Sequence, residues 1–180
     1  MKVLKPRVVG GLLCLAALAA SLTACTGGGG GEYALPERVC GVELAPEVVE
    51  PLLPAGESLK ERGEVFPERY GDCWLVVDRA DVLTVTFVPL DAYNDPAVEA
   101  RTLRYSGLKP LERLPFPGSG VLGDQGSVVT ARCGGAGPAY FAVQVASDSL
   151  HPAETGERRE ALEAFTVAYV SGARQENGCE

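Results

Sequence analysis

Gly118-Ser119-Gly120-Val121-Leu122-Gly123 has the spacing GxGxxG, the pattern of a loop that brings backbone amides up to a dinucleotide pyrophosphate. That chemistry needs a strand before the loop, a helix after it and an acidic residue about 20 positions on. Here Pro115 and Pro117 come before, and Asp124-Gln125-Gly126 and a strand-like run come after, so the segment reads as a glycine-rich surface loop. Ser119 stands between two glycines, but position 117 is proline, so the GxSxG nucleophile elbow is not met. The sole histidine, His151, precedes Pro152 in a linker and reads as a surface or capping residue rather than a catalytic base. Asp91, Asn94 and Asp95 lack the spacing of a calcium loop and read as a solvated helix start. Trp74, Tyr93, Tyr105 and Tyr140 are candidates for a binding face, with Trp74 expected in the core. No catalytic residue, metal ligand or cofactor-binding residue is assigned.

The six cysteines are Cys14, Cys25, Cys40, Cys73, Cys133 and Cys179. No pair has CxxC spacing, which disfavours a structural zinc site and a thioredoxin-like redox centre.

Cys25 closes an export segment. Lys2, Lys5 and Arg7 form a positive start, and Val8 to Leu22 is almost wholly apolar. At about 15 residues that run is short for a membrane span, which needs about 20, and it has the form of a secretory signal. Leu22-Thr23-Ala24-Cys25 resembles the bacterial lipobox. The resemblance implies that residues 1–24 are a signal peptide, and that Cys25 carries a diacylglycerol thioether and begins the mature chain. Two acyl chains hold where one binds reversibly, because each buried methylene contributes about 0.8 kcal/mol. Five glycines, Gly27 to Gly31, then read as a flexible tether over residues 25–34.

Outside the cytoplasm, the four remaining cysteines are expected to form two disulfides. Three pairings are open; the sequential one, Cys40–Cys73 and Cys133–Cys179, is favoured. Cys73 opens a hairpin that can reach Cys40 just before the first helix, and the second bridge would pin the last helix to the sheet.

Residues 35–180 suit a single domain. The 180-residue chain has 16 basic and 24 acidic side chains, a net charge of −8. Loss of Lys2, Lys5 and Arg7 with the signal takes the mature chain to −11. Such a charge argues against nucleic acid as a partner and against a polybasic grip on anionic lipid, so membrane attachment falls to Cys25.

Ala45 to Leu53 reads as a short helix, with Pro46 at its first position and Pro54 ending it. Gly56 to Gly71 reads as a loop with at most one helical turn. Cys73 to Val77 and Val82 to Val88 form a hairpin around Asp78–Asp81, with Leu83, Val85 and Phe87 on one face. Asp95 caps a second helix running to about Tyr105. Leu111 to Leu114 is a candidate short strand, and Pro115 to Gly126 is expected to be loop. Ser127 to Cys133 and Ala139 to Ala146 read as strands. Ala161, Leu162, Phe165, Ala168 and Tyr169 recur at helical spacing in a final helix from about Glu154 to Arg174. The expected class is α+β: an antiparallel sheet of four to five strands, helices packed mainly on one face, and the C-terminal helix closing the core.

Lipobox, Cys40 ahead of a short helix, Cys73-Trp74 opening a hairpin, a strand ending at Cys133 and a closing helix together resemble small cell-envelope lipoproteins of high-GC Gram-positive bacteria. The resemblance implies a two-disulfide domain on the outer face of the cytoplasmic membrane and supplies no catalytic residues. The leading expectation is a non-enzymatic binding or accessory module for an envelope protein or lipid. The alternatives are an anchored hydrolase assembled from dispersed acids and serines, and an inhibitor or immunity-type partner of a secreted enzyme.

Overall fold

The computed structural model describes residues 31–64, 70–135 and 137–179. The expected signal and Cys25 lie outside them. Residues Arg38–Val39 (β1) and Val42–Glu43 (β2) form a small hairpin whose turn, Cys40-Gly41, has positive φ at both positions. Pro46–Val49 (α1) follows and tightens into a 3-10 turn at Glu50–Leu52, since Pro51 has no N–H with which to continue an α-helix. The folded part begins ahead of Leu35: the Tyr33 hydroxyl donates to Pro54 O at 2.6 Å, and its ring packs on the core.

The main sheet has seven strands: Leu59–Gly63 (β3), Gly71–Val77 (β4), Ala80–Leu90 (β5), Lys109–Pro110 (β6), Gly118–Leu122 (β7), Gly126–Arg132 (β8) and Tyr140–Ala146 (β9). Their order is β3-β4-β5-β9-β8-β7-β6, with every neighbour antiparallel. Asp78 and Arg79 join β4 to β5 with positive φ at both, which matches the right-handed twist of a two-residue hairpin. Pro96–Thr102 (α2) starts at Asp95, whose Oδ1 accepts the Ala97 N–H at 2.8 Å. Thr155–Glu176 (α3) closes the chain's core.

Alternation assigns the two faces. Cys73, Leu75 and Val77 on β4, Leu83, Val85 and Phe87 on β5, and Phe141, Val143 and Val145 on β9 point to one side. There α3 lays down Leu162, Phe165, Tyr169 and Val170, with Val49 of α1 and Leu52 beside them. Phe87 stacks on Phe141 at 4.9 Å, and Phe165 on Tyr169 at 5.8 Å. Each such side chain contributes about 1.5–3 kcal/mol on burial. Deep in this layer two hydroxyls of sheet and helix satisfy each other, Ser127 Oγ lying 2.6 Å from Thr166 Oγ1. On the opposite side α2 packs Ala97 and Ala100 against Val121 and Val128, with Tyr105 and Leu108. That helix covers only the β7–β8 half of its face.

The α+β class and the closing helix agree with the sequence reading; the strand count does not. β3 stands where the sequence reads as loop, because Leu59-Lys60-Glu61-Arg62-Gly63 is polar and shows no alternation. As the outermost strand it needs a buried neighbour on one edge only, and its charges shield the other. Two-residue β6 replaces the candidate strand at Leu111–Leu114.

β7 overturns the expectation of loop over Pro115–Gly126. Its glycines fit a strand because the neighbouring backbone leaves no room: a Cβ on Gly118 would lie 2.6 Å from Thr130 O. The same holds where β8 begins, since a Cβ on Gly126 would meet Val145 O at 2.6 Å and the Tyr105 ring at 2.5 Å. Gly126→Ala is therefore expected to lower stability by about 1–3 kcal/mol, read as an earlier urea midpoint at unchanged slope.

Candidate functional site: a groove at the start of the last helix

The chain leaves β9 at Ala146 and turns back through residues 147–154 into α3. Arg158, buried at 6% exposure, gathers this return. Its Nε donates to Asp124 O at 2.7 Å. Its Nη1 donates to the carbonyls of Leu150 (3.1 Å), Pro152 (2.6 Å) and Ala153 (3.0 Å), and Nη2 to Thr155 Oγ1 (3.3 Å). Arg159 beside it bonds Asp124 Oδ1 at 2.7 Å and Gly107 O at 2.7 Å. The two arginines thereby fix the β7–β8 turn and the loop after α2 to the helix start. The Arg159 guanidinium, with Ser106 Oγ on the other carboxylate oxygen, holds the Asp124 carboxyl below its ordinary range. A lowered carboxyl contributes stability above its unfolded pKa near 4 and loses it as pH falls through the folded value. The stability gap between the wild-type chain and Asp124→Asn is accordingly expected to be full at pH 7 and to close below about pH 4, in urea melts across that range.

With the return loop fixed, His151 and Pro152 face Glu50 and Pro51 of the 3-10 turn across an open groove of about 580 Å³. Glu157, Glu160 and Ala161 of α3 form its third wall. Glu157 and Glu160 are three positions apart, so they share a helix face. Among the described residues, none of Glu50, Glu157 and Glu160 has an ion-pair partner. A second open groove, about 680 Å³, lies at the other end of α3 between Gly172 and the segment bearing Glu37 and Glu43. Arg38 beside it is paired with Glu176 at 3.0 Å.

The residues singled out in the sequence are not brought to this place together. Ser119 lies on the α2 face, in register with Thr130, with its Oγ 2.8 Å from Tyr93 Oη. His151 lines the groove against α3, on the opposite face of the sheet. Gly118–Gly123 is strand and turn followed by β8, so no helix N-terminus is offered to a phosphate. Asp95 is engaged as the α2 cap, and the carbonyl of Asn94 accepts from Thr130.

Trp74 is not in the core. It is half-buried on the face away from α3, with the Arg62 guanidinium 5.1 Å over its ring and Arg62 bonded to Asp81. Tyr93 stands edge-on to Tyr140 at 6.0 Å, whereas Tyr105 is packed under α2, and burial pushes its hydroxyl up to about 12. Trp74 is in register with Thr84 and Ala146, and Tyr140 with Leu90. Six positions of strand separate the two rows, about 20 Å, so these aromatics do not form one face.

The structure joins Cys40 to Cys73 with Cα atoms 5.7 Å apart, and Cys133 to Cys179 at 4.5 Å. Sequence reasoning missed Glu61. It faces the first bridge from β3, and its Oε2 accepts the Cys40 N–H at 2.7 Å. Its carboxylate and the two sulfurs lie within 4.8 Å of one another, but as a disulfide those sulfurs are not the thiolates that bind metal. Only the strand pairing Glu61↔Leu75 reveals this neighbour, and the polar β3 sequence gave no sign of it.

Two disulfides are consistent with an extracytoplasmic domain. Among the described residues no helix is long and apolar enough to cross a membrane. Compared with known protein families, curated proteins and solved structures, the chain finds no match.

Proposed function

We propose that this chain is a lipid-anchored, extracytoplasmic binding or accessory module of the cell envelope, held to the membrane by an acylated Cys25 and presenting its domain to another envelope component. The observation that carries the reading is the character of the two open grooves along the last helix. Both are open, both lie along α3, and both are walled by carboxylates and by prolines; among the described residues Glu176 alone of these carboxylates is ion-paired, to Arg38. Such walls suit recognition, because rigid prolines lose little freedom when a partner docks. Ser119 and His151, neither of which the sequence assigns to catalysis, stand on opposite faces of the sheet and so form no nucleophile–base pair. The acidic lining also favours the inhibitor or immunity-type reading, in which the partner is a basic secreted enzyme.

Two measurements test the proposal. Mass spectrometry of the native protein is expected to show a mature chain beginning at diacylglyceryl-Cys25; an unacylated N-terminus removes the anchor. Cross-linking of the acylated chain in native membranes is expected to yield a saturable adduct with one envelope component. Absence of any adduct at micromolar protein overturns the binding role.

A further inference from the structure

We infer that the grooves along α3 dock a positively charged, arginine-bearing segment of a partner protein, one arginine seated between Glu50, Glu157 and Glu160. The inference rests on the binding-module reading and names the chemistry of its partner.

Three observations carry it. First, the carboxylates come from two elements, Glu50 from the 3-10 turn and Glu157 and Glu160 from α3, and among the described residues none of them forms an ion pair. Second, a metal ion is a poor fit to them. Among the described residues the only group whose ligand atoms crowd within 4.8 Å of one another is the one at Cys40, Glu61 and Cys73. Carboxylates spread more widely around an open groove match a planar guanidinium with five donors better than a single ion. Pro51, Pro152 and Ala161 supply an apolar wall for the methylene stem that carries it. About 580 Å³ lies in the size range of ligand sites, roughly 300–1,000 Å³.

Third, the acidic lining continues into the second groove through Glu37 and Glu43, while Glu176 there is held by Arg38. Gly172, in the second groove, is eleven residues after Ala161, in the first. Eleven residues make about three helical turns, so both positions lie on the same side of α3, about 16 Å apart. Exposed Glu47 of α1 lies in the chain between the two groups of wall residues, Glu37 and Glu43 on one side and Glu50 on the other. An extended segment covers that distance in about five residues. The occupant therefore carries two arginines about five positions apart.

The test uses the full chain and a fluorescent twelve-residue peptide with two arginines five positions apart in an alanine–serine background, at low and physiological salt. Saturable binding is expected, at least tenfold tighter than that of a one-arginine peptide. Glu157→Gln/Glu160→Gln is expected to weaken it at least tenfold. Asp91→Asn/Glu112→Gln removes the same charge from exposed positions elsewhere and is expected to change it less than twofold. Equal losses in the two double variants would reduce the effect to net charge and overturn the inference. So would displacement by millimolar calcium at matched ionic strength, or the absence of saturable binding. The cross-link in native membranes separates the two readings. If the adduct persists in Glu157→Gln/Glu160→Gln, the groove is not the docking place while the binding role stands; if no adduct forms with the unmodified chain, the binding role itself fails.

Discussion

Replacing Cys40 and Cys73 together by alanine is expected to lower the unfolding free energy by about 4 kcal/mol. The bridge spans 33 residues of sequence, and in the chain-entropy account a closed loop of that length restricts the unfolded chain by about this amount. Both cysteines are buried, Cys40 at 2% and Cys73 at 0% exposure. The bond ties the β1–β2 turn to the central sheet, where Tyr169 Oη donates to Cys40 O at 2.9 Å and Glu61 accepts from Cys40 N. Without it the β1–β2 hairpin is held to the rest of the fold by packing and these few bonds. Guanidinium titrations measure the effect. The variant should have a midpoint well below that of the oxidised wild-type chain, and the chemically reduced wild-type chain, which loses Cys133–Cys179 as well, should have one no higher than the variant's. A midpoint shift worth under about 1 kcal/mol would show that loop closure contributes little here.

Arg158→Leu is expected to cost about 3–4 kcal/mol. The side chain is a buried cation to which, among the described residues, no carboxylate is bonded; carbonyl oxygens and one hydroxyl satisfy its donors. Its removal leaves the carbonyls of Asp124, Leu150, Pro152 and Ala153 without that donor at the start of α3. Hydrogen bonds to a charged group are worth about 1.5–3 kcal/mol each, and part of that loss is recovered where water can enter. Arg158→Lys should recover little, because one ammonium cannot reach from Asp124 on the sheet side to Pro152 on the loop. Thermal melts of the three proteins give the ranking. Because this residue fixes the wall that carries His151 and Pro152, Arg158→Leu should also loosen the groove, seen as faster amide exchange over residues 147–155.

Several elements are legible in the order of the residues alone. The alternation of Leu83, Val85 and Phe87 marks the hairpin, since a strand with one buried face must repeat every second residue. Asp95-Pro96 marks the start of α2, and Asp95 does cap it. The spacing of Leu162, Phe165 and Tyr169 marks α3, whose inner face those residues fill. Other elements were not legible for equally physical reasons. Glycine in β7 is there because Thr130 and Val129 crowd it, and local composition reports glycine's freedom without reporting the crowding. Edge strand β3 carries charge because half its backbone is unpaired, and a charged run with no alternation reads as loop. Trp74 alternates with the buried residues of β4, so its half-burial follows only from α2 stopping short of that part of the sheet.

The sequence by itself determined the class of fold, the closing helix and the acidic character of the chain, because these follow from local periodicity and from charge, which need no partner in space. The candidate site was decided by tertiary structure alone. Glu50 and Glu160 are 110 positions apart in the numbering, and they face one another only because Leu52 is buried against α3 while Arg158 draws the Leu150–Ala153 return onto the helix start. The physical reason is that contacts between distant segments depend on packing and on hydrogen bonds to backbone carbonyls, and neither leaves a periodic trace in the order of the residues.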